Sequence, residues 1–257
     1  KDLMEENVIS VHTLDDQEQV AKIFQNYNFL ALPVVDKEYR LVGIVTIDDA
    51  IDVLQEETTE DIEKMAAVLP SDKPYMKTSV FGIYKKRAPW LLVLMLSATF
   101  TSAIISSFES VLASVIVLSS FIPMITGSGG NAGSQASVSV IRALSLGEVE
   151  FKDLLLILWK EFRVAFLCGV TLAAANFIKL MLFDLNGTPN AFWIALVISL
   201  TLVGTIIMAK LVGASLPLIA GKIGFDPAVM ANPLISTVCD SLSLLIYFAV
   251  ATSILHL

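Results

Sequence analysis

Downstream of residue 87 the sequence falls into five long windows almost free of charge. Residues 88–108, 111–141, 164–178 and 185–209 hold no charged side chain, and residues 228–257 hold one acid, Asp240. A helix that crosses the hydrocarbon core of a bilayer needs about 20 apolar residues. The windows therefore predict five membrane-spanning helices. The whole chain agrees: 55% of its residues are hydrophobic and 16% charged, too apolar a balance for an ordinary soluble domain.

The charge is unevenly divided. Residues 1–76 hold 6 Lys/Arg against 17 Asp/Glu, net −11, and residues 77–257 hold 11 against 8, net +3. Two bodies with different solvents are thus expected, joined near Tyr75 and Lys85. In the first, "VISVH" (8–12), "LPVVD" (32–36) and "LVGIVTI" (41–47) are short β-branched runs. Between the first two, Val20, Ile23, Phe24 and Tyr27 recur at helical spacing, which makes a small α/β unit. An acidic helix, "DDAIDVLQEETTEDIEKMAAV", leads from it toward the membrane, and Pro70, Ser71, Asp72 and Pro74 punctuate its end. The expected division is an α/β unit at 1–54, an acidic linker helix at 55–84 and a membrane domain at 85–257. The chain opens on Lys1 with no signal-peptide pattern, so an upstream part is expected.

Basic residues orient the spans. Lys85, Lys86 and Arg87 precede the first window, Arg142, Lys152, Lys160 and Arg163 separate the second from the third, and Lys210 and Lys222 separate the fourth from the fifth. The other two connections have no Lys or Arg. The positive-inside tendency then places the N-terminal unit in the cytosol and the C-terminus outside. Cys168 and Cys239 lie in apolar runs and read as small buried side chains, and His12 and His256 read as ordinary polar residues too far apart to share a site.

Two stretches of the membrane part carry the chemistry. "PMITGSGGNAGSQ" (123–135) puts four glycines and a proline inside the second window. Irregular backbone at membrane depth is tolerated only where protein or a water-filled cavity surrounds it. The stretch is expected to break the helix and form one wall of an ion path, with carbonyls near Gly130 and the amides of Asn131 and Gln135 turned toward a cation. The competing reading is a seam of small residues with a proline kink. In the last window Asn232, Ser236, Asp240 and Ser243 recur at i, i+4, i+8 and i+11, one face of a helix. An acid at membrane depth costs about 2.5–3.5 kcal/mol on insertion scales and marks a functional site by default. If two copies met on a two-fold axis, two Asp240 carboxylates would present a charge of −2, enough for a divalent cation. Oxygen ligands without a His or Cys cluster favour hard cations such as Mg²⁺ or Ca²⁺, and Mg²⁺ sheds its waters reluctantly.

On these residues the chain resembles the MgtE family of bacterial magnesium channels. "PMITGSGGNAGSQASVSVIRAL" and "GFDPAVMANPLISTVCDSLSLLIY" are similar to its two membrane signatures, and "FESVL" and "TEDIEKMAAV" also match the family pattern. The resemblance implies an α-helical membrane protein of the bacterial cytoplasmic membrane, a homodimer with five transmembrane helices per subunit and one axial pore. It implies a pore site for hydrated Mg²⁺ at Asp240 and Asn232, to which the residues above add Ser236, Gly130, Asn131 and Gln135. It also implies that 1–54 is the second half of a tandem cystathionine-β-synthase-type (CBS) pair, with "GIVTIDD" (43–49) as its strand-to-helix turn. The N-terminal helical domain and first CBS repeat of the family layout are absent from the chain, and Asn28 stands where the family more often shows an acid.

In the light of that resemblance Asp49, Asp52, Glu56, Glu57, Glu60 and Asp61 are candidate ligands for regulatory cytosolic Mg²⁺. Like charges a turn apart repel, so bound cations would close the linker helices beneath the pore and Mg²⁺ depletion would let them spread. Thr46 and Asp49 match positions that contact nucleotide in many CBS domains, which makes ATP a candidate modulator. No nucleic-acid partner is expected. Two other functions remain open at this point. A proton- or sodium-coupled carrier of Mg²⁺, Mn²⁺ or Co²⁺ would also use a broken helix and an intramembrane acid. An intramembrane hydrolase could use Ser128 as nucleophile, but the sequence places no base beside it.

Overall fold

The structure is a computed structural model that describes residues 8–71 and 73–256, except for the side chain of Asn232. The chain forms two compact units, Lys1–Glu63 with Pro70–Tyr75, and Lys64–Leu69 with Met76–Leu257.

The first unit is a three-stranded sheet with helices. β1 (Val11–His12) runs parallel to β2 (Ala31–Val35), and β2 runs antiparallel to β3 (Leu41–Thr46). Helix α1 (Gln17–Tyr27) makes the crossover between the parallel strands. Its ends follow from its caps: Asp16 accepts hydrogen bonds from the N–H groups of Glu18 and Gln19, and Asn28 closes the other end in the left-handed region at φ 53°. An Asn at position 28 thus serves the backbone. Val11, Phe24, Leu32 and Ala50 form the core. The first strand is shorter than expected, beginning at Val11 and not Val8. Helix α2 (Ile47–Met65) runs unbroken from that core, at Ala50, into the acidic stretch.

The second unit is helical. α3 (Val80–Ser107) opens on an N-cap from Ser79 to Gly82 N–H. The short α4 (Glu109–Ser114) and a 3₁₀ stretch (Ile116–Phe121) lead into α5 (Ile122–Ser145). α6 (Leu154–Lys179) continues through a π-helical turn, and α7 (Ala191–Lys222) and α8 (Asn232–Leu255) complete the unit. α5, α7 and α8 pack against one another, and α6 lies against α7. Ile125, Ile198, Tyr247 and Phe248 fill one end of this bundle, and Ala132, Ala209, Ile235 and Cys239 fill its middle.

Two expectations are corrected. The glycine stretch does not break the helix: α5 is continuous from Ile122 to Ser145, so its carbonyls are engaged along the helix and not freed for a cation. Pro123 sits in the first turn, where its missing N–H costs nothing. The irregular backbone lies earlier, at residues 115–121, and is buried where Leu118 and Phe121 enter the core. There the Tyr247 hydroxyl donates to the Leu118 carbonyl at 2.9 Å, which satisfies a backbone acceptor that lipid could not. Tyr247→Phe is expected to cost about 1–3 kcal/mol by leaving that acceptor unpaired. Thermal unfolding in detergent, compared with a surface Tyr84→Phe control, checks it.

The second correction concerns Lys210, which is no loop residue. It lies inside α7 and is buried. Among the described residues four helical segments are long and apolar enough to cross a membrane: Val80–Ser107, Phe151–Asp184, Ala191–Lys222 and Pro227–Leu255. α5 is missing from that set because its glycines and serines dilute its hydropathy, although its 24 residues would reach about 36 Å at ~1.5 Å per residue.

Candidate functional site

The glycines of α5 are a contact seam. A methyl group added at Gly133 would lie 2.8 Å from the Cys239 sulfur and 2.9 Å from Ile235 Cγ2, both on α8. One added to Gly213 of α7 would overlap the carbonyl oxygen of Gly133. Three helix backbones therefore approach as closely as only glycine permits. The seam of small residues, the competing reading of this stretch, is the one the packing bears out.

That seam brings α5 against the polar face of α8. At Gly130 an added methyl would lie 3.3 Å from Ser236 Oγ and 3.6 Å from Asp240 Oδ1. Ser236 and Asp240 are half-buried, and neither side chain has a hydrogen bond or an ion pair among the described residues. Ser243, one turn further along, is fully buried at Gly129 and donates to the Cys239 carbonyl. Asn232 begins α8, two turns before Asp240, and its side chain lies outside the described residues. The site is thus an unpaired carboxylate and a hydroxyl beside a bare glycine backbone. No three His, Cys, Asp or Glu side chains among the described residues gather as a metal cage. Such a face can attract a cation through its waters more readily than strip them.

Asn131 and Gln135 are not brought to this face. They are exposed on another side of α5, where they line a cavity of about 570 Å³ shared with α6 and α7. Ser128 lines the same cavity, with Cys168 and Lys210. Neither histidine is among its lining residues, so Ser128 has no imidazole base there.

Sequence reasoning missed the charge pair behind that cavity. Lys210 of α7 is 7% exposed at its side chain and lies 3.8 Å from the carboxylate of Glu161 on α6, itself 16% exposed. A lone Lys followed by twelve further helical residues was the available signal. A second missed contact ties Lys64, near the end of α2, to Asp226 in the turn between α7 and α8 at 2.6 Å. Asp226 also caps the 3₁₀ turn Pro227–Met230 through Ala228 N–H.

In the first unit the acids separate into two groups. Asp52, Glu56, Glu57, Glu60 and Glu63 line a cleft of about 470 Å³ with Gln17 and Ser71. Gln17 donates to Glu57 at 2.9 Å and Ser71 N–H to Glu63 at 2.7 Å. Asp49 and Asp61 are not among its lining residues. Asp49 instead accepts from the Thr46 hydroxyl at 2.7 Å and lines a second, smaller cleft of about 240 Å³ with Val11, His12 and Asp15.

Comparison with known proteins adds two family-model matches and three relatives. Residues 122–250 match the MgtE family model, described as divalent cation transporter, and residues 1–56 match the CBS domain model. The chain is 40% identical over 255 residues to the magnesium transporter MgtE of Thermus thermophilus, covering 99% of this chain and 55% of that protein. Its identity to the magnesium transporter MgtE of Bacillus subtilis is 39% over 257 residues, covering 100% of this chain and 55% of the relative. The protein of the same name from Enterococcus faecalis is 36% identical over 251 residues, 98% of this chain and 54% of its own length. The chain therefore spans about half the length of the curated relatives it matches.

Proposed function

Since the chain belongs to the MgtE family of divalent cation transporters, we propose that it carries Mg²⁺ across a bacterial cytoplasmic membrane. The observation that carries this reading is the placement of Asp240 and Ser236, unpaired and half-buried, against Gly130 on a face of otherwise apolar helices. The matched family is one of transporters, and no catalytic step is assigned to Ser128.

In this reading α5 joins the four longer apolar helices as a fifth span, since about 36 Å exceeds the ~30 Å hydrocarbon core. Two copies meet with their α5 and α8 faces toward a shared axis, and the paired Asp240 carboxylates supply the −2 that balances one Mg²⁺. Gly130 lets the hydrated ion come close to backbone, and Ser236 and Asn232 add oxygens along the same helix face. Asn131 and Gln135, turned toward α6 and α7, are left out of the ion site. The N-terminal unit is cytosolic and the C-terminus outside: with Lys210 removed from the loops, Arg142, Lys152 and Lys222 still lie on the side of Lys85.

The cleft acids Asp52, Glu56, Glu57, Glu60 and Glu63 are the proposed regulatory Mg²⁺ ligands, with Asp49 and Asp61 outside that cleft. Cations there would relieve repulsion along α2 and favour a closed pore. Thr46 and Asp49 offer half of a nucleotide cleft, and ATP as a modulator would need the paired repeat to complete it.

The test is Mg²⁺ influx into proteoliposomes holding this chain and an internal Mg²⁺ reporter. A channel gives influx that follows the Mg²⁺ gradient and the imposed voltage alone. Influx that requires a proton or sodium gradient would establish the coupled carrier, and no influx under any gradient would overturn transport by this chain.

A further inference from the structure

We propose that the cavity between α5, α6 and α7 is a binding site for an anionic phospholipid. Its wall divides by chemistry. Leu167, Leu172 and Ile206 offer an apolar strip, and Ser128, Asn131 and Gln135 offer neutral polar groups. Lys210 reaches the same space from the third helix. Its side chain is more than nine-tenths buried, yet the nearest carboxylate, Glu161, stands at 3.8 Å, too far for a hydrogen bond. A buried ammonium has three donors to satisfy. Among the described residues none of the three is matched, and the cavity is where an acceptor can enter. Leu167, Thr171 and Leu172 are exposed, so the cavity opens on the protomer's outer surface.

Charge beyond the cavity identifies the acceptor. On α6, Lys160 and Arg163 precede Leu167 by seven and four residues, which places them on or beside the face that lines the cavity. They lie about 10 and 6 Å nearer the start of α6, at ~1.5 Å per residue. On α5, Arg142 follows Gln135 by seven residues, and residues 146–153 join that end of α5 to the start of α6. The three cations therefore gather at one end of the cavity, where Arg142 also lies 3.8 Å from the Glu148 carboxylate. Arg163 lies over the Trp159 ring at 5.8 Å, an interfacial Trp–Arg pairing, and Lys160 has no ion pair among the described residues. Basic head contacts at one end, an apolar strip above them and a buried ammonium at the wall match an inner-leaflet lipid with its phosphate at the rim and an acyl chain along α6. A free phosphate would leave the apolar strip unused, and a neutral zwitterionic lipid would gain little from the rim.

The experiment is native mass spectrometry of the delipidated full chain, titrated with phosphatidylglycerol, phosphatidylcholine or glycerol 3-phosphate, combined with maleimide labelling of Cys168. The expected result is tighter binding of phosphatidylglycerol than phosphatidylcholine and slower labelling of Cys168 when phosphatidylglycerol is bound. Lys160→Gln and Arg163→Gln, both at exposed positions, should each weaken phosphatidylglycerol about fivefold. The pair Lys210→Gln with Glu161→Gln, which leaves no buried charge alone, should also weaken it. Equal affinity for the two lipids, a preference that survives these variants, or a Cys168 unprotected by bound phosphatidylglycerol would each overturn the site. Protection of Cys168 without any added lipid would show the cavity closed by a second copy, and binding of glycerol 3-phosphate to the same cations would replace the lipid with a soluble phosphate. Neither readout depends on Mg²⁺ flux, so this proposal can fail while transport stands.

Discussion

Asp240→Ala is expected to reduce Mg²⁺ influx by at least about tenfold, the loss that a barrier higher by ~1.4 kcal/mol produces. The substitution removes the only acid of α8 and empties the space beside Gly130 without disturbing a hydrogen bond, since Asp240 makes none among the described residues. Asp240→Asn isolates the charge, because it keeps the volume and two polar atoms. If charge attracts the hydrated ion, the Asn variant should be nearly as impaired as the Ala variant; if shape alone matters, it should retain flux. The measurement is initial influx into proteoliposomes at matched protein content. Parent-like flux in both variants would remove Asp240 from the ion path and would send the search to other faces of the bundle.

Gly213→Val is expected to produce the largest loss of stability. Even one added carbon would overlap the Gly133 carbonyl oxygen, and the obstruction is backbone, which cannot turn away as a side chain can. Overpacking of this kind costs about 1–3 kcal/mol and sometimes more. Here α5 and α7 would have to separate, which would also withdraw Gly133 from Cys239 and Ile235 on α8. Gly224, at the turn after α7 with open space around its Cβ position and a φ of +81°, offers a contrasting site where strain is local. The check is the unfolding midpoint in detergent together with the yield of protein that elutes without aggregation. An unchanged midpoint for Gly213→Val would mean that the two helices do not approach this closely.

The parts of this molecule that were legible in its sequence are those with local signals. The helical spacing of Val20, Ile23, Phe24 and Tyr27 and the β-branched runs that became β2 and β3 depend on near neighbours, and the α/β unit follows from them. The polar face of α8 was legible too, because four positions at helical spacing define a stripe wherever the helix lies. The glycine run was half legible. Its small residues announced a close approach, but glycine is a helix breaker mainly where water competes for the backbone, and inside this bundle the helix continues through Gly127, Gly129 and Gly130. The irregular backbone that does occur, at 115–121, is five apolar residues and two serines with neither Gly nor Pro, and it gave no local sign. Lys210 and Glu161 are 49 positions apart, and a lone charge in an apolar run was read as the edge of a span. Only their packing makes them a pair.

α3 has one further consequence. It is the longest helix after α7, yet none of its residues is buried, and its principal neighbour is α8, with a Thr101 to Ser241 hydroxyl contact at 3.2 Å. Its cohesion with the rest is correspondingly small, and its own hydrogen-bonded backbone is interrupted only at Pro89, which has no N–H to donate. During biosynthesis α3 emerges before α4 to α8, so it stands without its principal neighbour until α8, the last of these helices in chain order, is made. Assembly of this unit is therefore closed by its first and last helices, and a stall before the synthesis of α8 would leave α3 inserted but undocked.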